Sequence, residues 1–519
     1  MQQIAALDWT ICIGYLALVV GLGVYFSNKQ KDNDAYFLGD RNMHWIPVGL
    51  SLFATTFSSN SFVGLPAEGA YGDYHQLLAI MFIPFVVIPI TCIWFIPFYK
   101  SWGYTSLYEY LERRFSRGVR LTASLIFMLY SAGWMGTMLL AVSKILDVVL
   151  ATESTVQTLV VIIIVGVLAT LYTAMGGVKA VIWTDTIQAF ALCGGMCFLL
   201  WLLLSSIDGG WASFVAVGGD GGKFEMFRTS GGFAEHNVFA ACAYGFFVYM
   251  GGQLASYGAF QRYVTVDSVN DARKALIIKG AFTVVSCTLF FLVGTALYVY
   301  YQQFHLDLFT EYSAGKNKDQ LLPHFVINYG GGYGMTGLLL AGLFAAAMSS
   351  MDSGINSMAA TLVTDWLNGR EVGTATNRWL TGIFGIGVTL IACLLSRIDS
   401  PVFAILLSIA GATLGMLLSI LMMGMLLPRV NTTGVVAGMV AGVLTVCCIR
   451  VVLPNLDPNT LASLGPWAGL KSNTWWDGMF TSISVVVVAV PVSLLSAPRS
   501  AESLQGLLLF EQDPDQPRR

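Results

Sequence analysis

Charge is what this sequence has least of. Its 519 residues hold 27 Lys and Arg and 30 Asp and Glu, 11% of the chain, where a soluble domain carries about a quarter. That shortage excludes an ordinary water-soluble surface, and a net charge of −3 offers no basic face to a nucleic acid. Histidine is scarcer still. His44, His75, His236, His305 and His324 fall near segment ends or in loops, without the spacing of a zinc or haem site. The nine cysteines lie in apolar runs and read as small buried hydrophobes rather than disulfide partners. No basic stretch precedes the first apolar run; Lys29 and Lys31 follow it, so the run reads as a retained span and not a cleavable signal. The tail after residue 497 is short and polar, too small for an appended soluble domain.

What abounds is apolar length. Hydrophobic residues make up 56% of the chain and mean hydropathy is +0.69. Runs of about 20 apolar residues, enough to cross a bilayer, recur about thirteen times. They fall at 8–27, 45–70, 76–99, 119–149, 156–174, 180–205, 237–262, 273–302, 331–364, 376–395, 402–428, 432–453 and 474–496. Alternate connections hold Lys29, Lys31 and Arg41; Lys100, Arg113, Arg114, Arg117 and Arg120; Lys179; Arg262, Arg273 and Lys274; Arg370 and Arg378; Arg429; and Arg499, Arg518 and Arg519. The long loops between them, 206–236, 303–330 and 454–473, mix both signs. The positive-inside rule then predicts an N-terminus outside and a C-terminus in the cytoplasm.

Two spans carry breaks: FATTFSSNSFVGLP (53–66) in the second and VYMGGQLASYG (248–258) in the seventh. Unwound backbone at membrane depth is tolerated where it lines a protected cavity. With the first span peripheral, the breaks open two consecutive five-span units, spans 2–6 and 7–11, of opposite orientation. Such an inverted repeat points to a transporter site at its paired broken helices. The expected organisation is an extra N-terminal helix and loop (1–44), a transport core (45–430) with repeats 45–205 and 237–428, C-terminal helices (431–497) and a cytoplasmic tail (498–519).

Ionisable groups at bilayer depth are costly and default to function. In FAAAMSSMDSGINS (344–357), Ser349, Asp352, Ser353 and Asn356 share one stripe of a helix. The stripe offers hard oxygen ligands and one full negative charge. With carbonyls freed at the broken second span, around Ala54 and Phe57, it suits a small hard cation, sodium above all. The plainer alternative has the hydroxyls bonding back to the preceding turn and Asp352 facing a small water pocket. Asp185, in IWTDTIQ, reads equally as a functional carboxylate and as a solvated one at a helix start. Glu68 reads as interfacial, and Lys279 as a snorkelling lysine near a cytoplasmic end. Met81, Trp134, Met135, Phe246, Tyr249 and Met250 surround the expected cavity, where such residues are packing first and solute contacts second.

Four stretches together, TLYTAMGGVKAVIWTDTIQ (170–188), SLYEYLERRFSR (106–117), QRYVTVDSVNDARKAL (261–276) and the tandem serines, resemble the sodium:solute symporter family over residues 8 to 430. The resemblance implies an all-α integral membrane protein with a LeuT-type 5+5 inverted-repeat core, one extra N-terminal helix and about two C-terminal ones. It implies a multi-pass protein of the cell (plasma or inner) membrane that imports a small organic solute with sodium, one ion or two. Neither enzymatic activity nor a nucleic acid or obligatory protein partner is expected; the solute and the lipid bilayer are. The family's shared sodium site maps onto backbone carbonyls of Ala54, Phe57 and Ala346 and hydroxyls of Ser349 and Ser350. A second cation site of some members maps onto Asp185, Ser349, Asp352 and Ser353. Relatives usually carry a hydroxyl residue where Asp352 stands, and two carboxylates at one small site repel unless a cation lies between them or one is protonated.

On the solute side, Trp134 stands where the sialic acid branch has an arginine, and Met81 where it has a glutamine. Thr56, Ser58, Ser59, Asn60 and Ser61 remain to hydrogen-bond a solute at the break, with Tyr249 across from them. The expected solute is therefore a sugar, polyol or monocarboxylate-type compound, with sialic acid disfavoured. A sodium-conducting channel, which would need an open pore, and a transporter-like membrane sensor are the alternatives.

Overall fold

In a bilayer every backbone polar group must be satisfied within the chain, which favours helices, and among the described residues every regular element is a helix. The computed structural model describes residues 5–27, 42–103, 106–150, 155–314, 318–329, 334–367, 373–398 and 402–510. Lys29, Lys31, Arg41, Arg370, Arg518 and Arg519, part of the basis for the predicted orientation, lie outside them.

In chain order the main helices are α1 (Ala6–Ser27), α2 (Trp45–Thr56), α3 (Ser59–Tyr71), α4 (His75–Trp102), α5 (Arg117–Leu150) and α6 (Thr155–Ser206). They continue with α7 (Gly210–Asp220), α8 (Val238–Leu254), α9 (Tyr257–Thr265), α10 (Val269–Phe304), α11 (Leu306–Ala314) and α12 (Leu321–Tyr329). The remainder are α13 (Met335–Thr361), α14 (Thr374–Leu395), α15 (Val402–Leu426), α16 (Thr432–Cys447) and α17 (Asp477–Leu494). Among the described residues nine helices are long and apolar enough to cross a membrane, or ten with the bent pair α8 and α9. α4 stays continuous through Pro84, Pro89 and Pro97 by widening into π turns at Ile83–Val87 and Thr91–Phe95, which absorb the missing N–H groups.

Both predicted breaks are present. α2 stops where Phe57 leaves the helical region (φ −96°, ψ 97°), and α3 restarts after an extended Ser58. The chain bends by 54° between α8 and α9. One predicted loop is absent. Where the hydropathy pattern predicts spans at 156–174 and 180–205, helical bonding runs unbroken through all 52 residues of α6. At 1.5 Å per residue that is about 78 Å, more than twice the hydrocarbon thickness. The stretch between holds no proline, and two glycines weaken a helix by only about 1 kcal/mol each.

α13 lies at the centre: 89% of its apolar stretch is buried, against 28% for α14. α10 packs on α3 through glycines, since a Cβ at Gly294 would fall 2.3 Å from the Pro66 carbonyl and one at Gly69 would fall 2.8 Å from that of Phe291. All nine cysteines are free, but Cys197, Cys447 and Cys448 are exposed on helix surfaces rather than buried, because a lipid-facing surface accepts an apolar sulfur side chain as readily as a core does.

Several arginines that set the predicted orientation also tie one end of the bundle together. Arg114, fully buried, donates to the carbonyls of Gly424, Leu427 and Val430, the open end of α15. Arg120 binds Asp365 and Glu112, both at 2.6 Å. At the other end Arg228 bridges Asp73 and Glu225; its hydrogen bond holds the Glu225 carboxyl below the usual range. Burial pushes the nearby His236 imidazole, stacked 3.9 Å from Trp475, down to about 4.

Candidate functional site

A helix that stops leaves its last carbonyls without intrahelical partners. At the α2 break α13 meets them. Ser349 Oγ donates to the Ala54 carbonyl at 3.2 Å and Ser350 Oγ to that of Thr55 at 3.1 Å, while Ser349 also reaches the Ala346 carbonyl at 3.2 Å. Ala54, Ala346, Ser349 and Ser350 thus converge as uncharged hard oxygens, a donor set that fits a small hard cation once the hydroxyls turn their lone pairs inward. Phe57 occupies the break itself, its ring stacked on Phe53 and Phe290. Back-bonding to the preceding turn occurs too, farther along: Ser353 onto the Ser349 carbonyl and Ser357 onto that of Ser353.

Next to this cluster lies a buried ionic network. Asp185, fully buried, accepts from Ser51 Oγ at 2.5 Å and from Arg262 Nη2 at 3.3 Å. The same guanidinium gives Nε to Ser51 Oγ (2.8 Å), Nη1 to the Gly258 carbonyl (3.1 Å) and Nη2 to Ser353 Oγ (2.5 Å). Asp352, also fully buried, accepts a short hydrogen bond from Thr173 and lies within electrostatic reach of Arg262. One cation at this site is thus a side chain, Arg262, paired with Asp185. Charge counting predicts a loop arginine at 262; the helix that restarts at Tyr257 carries it inward instead. The signal available in the sequence was its position within one turn or so of the GGQLASYG break.

Beside the break a cavity opens, lined by residues of α2, α3, α4, α5, α8, α9, α10, α13 and α15. Of the predicted solute contacts, Thr56, Ser61, Trp134 and Tyr249 line it. Ser59 and Asn60 turn the other way: Ser59 Oγ donates to the Met138 carbonyl (3.1 Å) and Asn60 Nδ2 to Thr137 Oγ1 (2.8 Å), clasping α3 to α5. Ser58 is buried at the start of α3, and Met81 packs against the core outside the lining. Successive residues on a helix point about 100° apart, so the rotation with which α3 restarts decides which of the four consecutive polar residues Ser58 to Ser61 face the cavity. Lys279 departs furthest from expectation. Instead of snorkelling it is 5% exposed, lines the cavity and donates from Nζ to Gln253 Oε1 at 2.6 Å.

The Sodium:solute symporter family model matches residues 36–442. The chain belongs to the sodium:solute symporter family. It is 31% identical over 460 residues to the sodium/sialic acid symporter NanT of Aliivibrio fischeri, covering 86% of this chain and 88% of that one. Identity to the sodium/sialic acid symporter SiaT of Proteus mirabilis is 29% over 516 residues, covering 97% and 98%. Among solved structures, a Na+-coupled sialic acid symporter in its substrate-bound outward-open state superposes with a TM-score of 0.80 at 28% identity, covering 96% of this chain and 100% of that one. This family member is accordingly a sodium-coupled membrane transporter, a multi-pass protein and not an enzyme.

Proposed function

We propose that this symporter imports sialic acid, or a closely similar sugar acid, by sodium-driven alternating access. The preference for a neutral sugar, polyol or simple monocarboxylate rested on Trp134 and Met81. The names of both relatives speak for sialic acid instead, and a cavity carrying hydroxyl, aromatic and cationic groups suits a polar, acidic solute. The observation that carries the coupling is the pair of α13 hydroxyls on the last carbonyls of α2. A sodium ion entering there, held by Ala54, Phe57, Ala346, Ser349 and Ser350, ties α13 to the broken span whose Thr56 and Ser61 line the solute cavity. It stabilises the conformer that fits the solute, and the coupling is reciprocal. Rocking of one bundle against the other then opens the cytoplasmic side.

The topology in this proposal is thirteen spans, N-out and C-in, with a LeuT-type 5+5 core at 45–430. The nine long helices, the bent pair and the shorter apolar helices Ala6–Val19 and Trp45–Thr56 support twelve of these spans; the thirteenth requires the chain to turn back within α6, between Val156–Leu171 and Val178–Ser206. No observation favours a channel or a sensor.

In proteoliposomes an inward sodium gradient is expected to drive saturable sialic acid uptake that stops when potassium replaces sodium. Sialic acid uptake indifferent to sodium, or sodium flux indifferent to solute, would count against the proposal.

Asp352, with Asp185 and Ser353 nearby, belongs to a second cation or proton site in this reading. Asp352→Asn is therefore expected to lower the sodium-to-solute ratio or to remove a pH dependence of uptake. The check is charge moved per solute at several pH values; if both quantities stay unchanged, the second site is gone.

A further inference from the structure

Two cations line the solute cavity, and only one is neutralised. Arg262 is paired with Asp185 and spends its remaining donors on Ser51, Gly258 and Ser353. Lys279, on α10, has one side-chain partner, the neutral amide oxygen of Gln253 at 2.6 Å. That partner is held in place: Gln253 Nε2 donates to the Tyr263 hydroxyl, which donates back to the Gln253 carbonyl at 3.0 Å. Among the described residues no carboxylate lies within 4.0 Å of Lys279, and neither Asp nor Glu lines the cavity.

An ammonium group has three donors and a full charge, so burying it against one neutral acceptor is unfavourable. A buried charge of this kind is completed by a counter-ion, and the open side of Lys279 is the cavity itself. Trp134, across that cavity, brings no charge. Singly charged anions match the vacancy; neutral solutes leave the ammonium uncompensated.

We propose that Lys279 grips the solute's carboxylate, at the end of the cavity where α8 gives way to α9, and so selects acids over their uncharged counterparts. Gln253 orients the ammonium, and the hydroxyls of Thr56 and Ser61 remain for the rest of the solute. This inference rests on the symport proposal above and adds to it the residue that reads the charge.

The test compares sialic acid with its methyl ester, in wild-type protein and in Lys279→Gln, at saturating sodium. Wild type is expected to carry the acid and to discriminate strongly against the ester. Lys279→Gln is expected to raise the half-saturating acid concentration by roughly 30-fold, equivalent to about 2 kcal/mol. Sodium-induced thermal stabilisation, measured without solute, should persist in the variant and certifies its fold. Should glutamine disturb folding, Lys279→Met, which keeps the apolar stem, carries the same comparison. Equal uptake of acid and ester by wild type, an unchanged half-saturation in the variant, or no acid uptake by a wild type that sodium still stabilises would each overturn the assignment. Acid uptake that ignores the sodium gradient would instead sink the symport proposal, and the Lys279 comparison would still read out the carboxylate contact.

Discussion

Replacing Arg262 with methionine is expected to destabilise the protein by roughly 3–5 kcal/mol and to remove sodium-driven uptake. The guanidinium is 1% exposed and touches four groups on four segments: Ser51, Asp185, Gly258 and Ser353. Without it Asp185 keeps its hydrogen bond from Ser51 but loses its counter-ion in a medium that cannot solvate the charge. Breaking a buried pair by removing one partner is much worse than replacing both. The double variant Arg262→Met with Asp185→Asn should therefore recover most of the stability without recovering normal coupling. Lysine is a poor substitute, since one ammonium cannot reproduce the fork that serves Ser51 and Ser353 through different nitrogens. Thermal melting in detergent and uptake in proteoliposomes check both outcomes. A single Arg262→Met variant that melts and transports as wild type does would show that the network is dispensable.

Removing the two hydroxyls that meet α2 should act on sodium before it acts on anything else. Ser349→Ala is expected to raise the half-saturating sodium concentration about tenfold, and the double change with Ser350→Ala up to about a hundredfold. Each tenfold step is about 1.4 kcal/mol, close to the low end of what a hydrogen bond to a charged group contributes. By reciprocity the apparent solute affinity falls at limiting sodium and returns at saturating sodium. Thr361→Ala makes a useful control on the same helix. Its hydroxyl bonds back onto the Ser357 carbonyl at 2.7 Å, away from the break, so sodium dependence should hold. Sodium titrations of uptake distinguish these cases. If Ser349→Ala binds sodium normally, the contact between α13 and α2 serves packing alone.

Much of this protein was legible in one dimension. Apolar runs long enough to span a bilayer announce themselves by composition, and the helix breaks fall inside the polar, glycine-rich stretches that predict them, at Phe57–Ser58 and Ala255–Ser256. Ser349 and Ser350 could be placed opposite Ala54 because the family resemblance maps all three onto one site, while the helix stripe alone gave Ser349, Asp352, Ser353 and Asn356. The family, too, is written in contiguous motifs.

Side-chain partnership between distant segments was not. Arg262 meets Ser51 across 211 residues and Ser353 across 91, and no local pattern separates a loop arginine from one carried into the protein by a restarted helix. Lys279 presented the same ambiguity: a lysine near a span end can reach for water or turn into a cavity, and only the packing of α10 against its neighbours chooses. Ser59 and Asn60 differ from Ser61 solely by rotation about α3, which the break sets and the sequence does not encode locally. Composition and periodicity determined that this chain crosses a membrane many times and interrupts two of its helices, and contiguous motifs placed it in its transporter family. The tertiary structure decided that Arg262 pairs with Asp185 while Lys279 turns into the cavity beside Gln253, because burial and pairing are properties of helices packed together and not of any one of them.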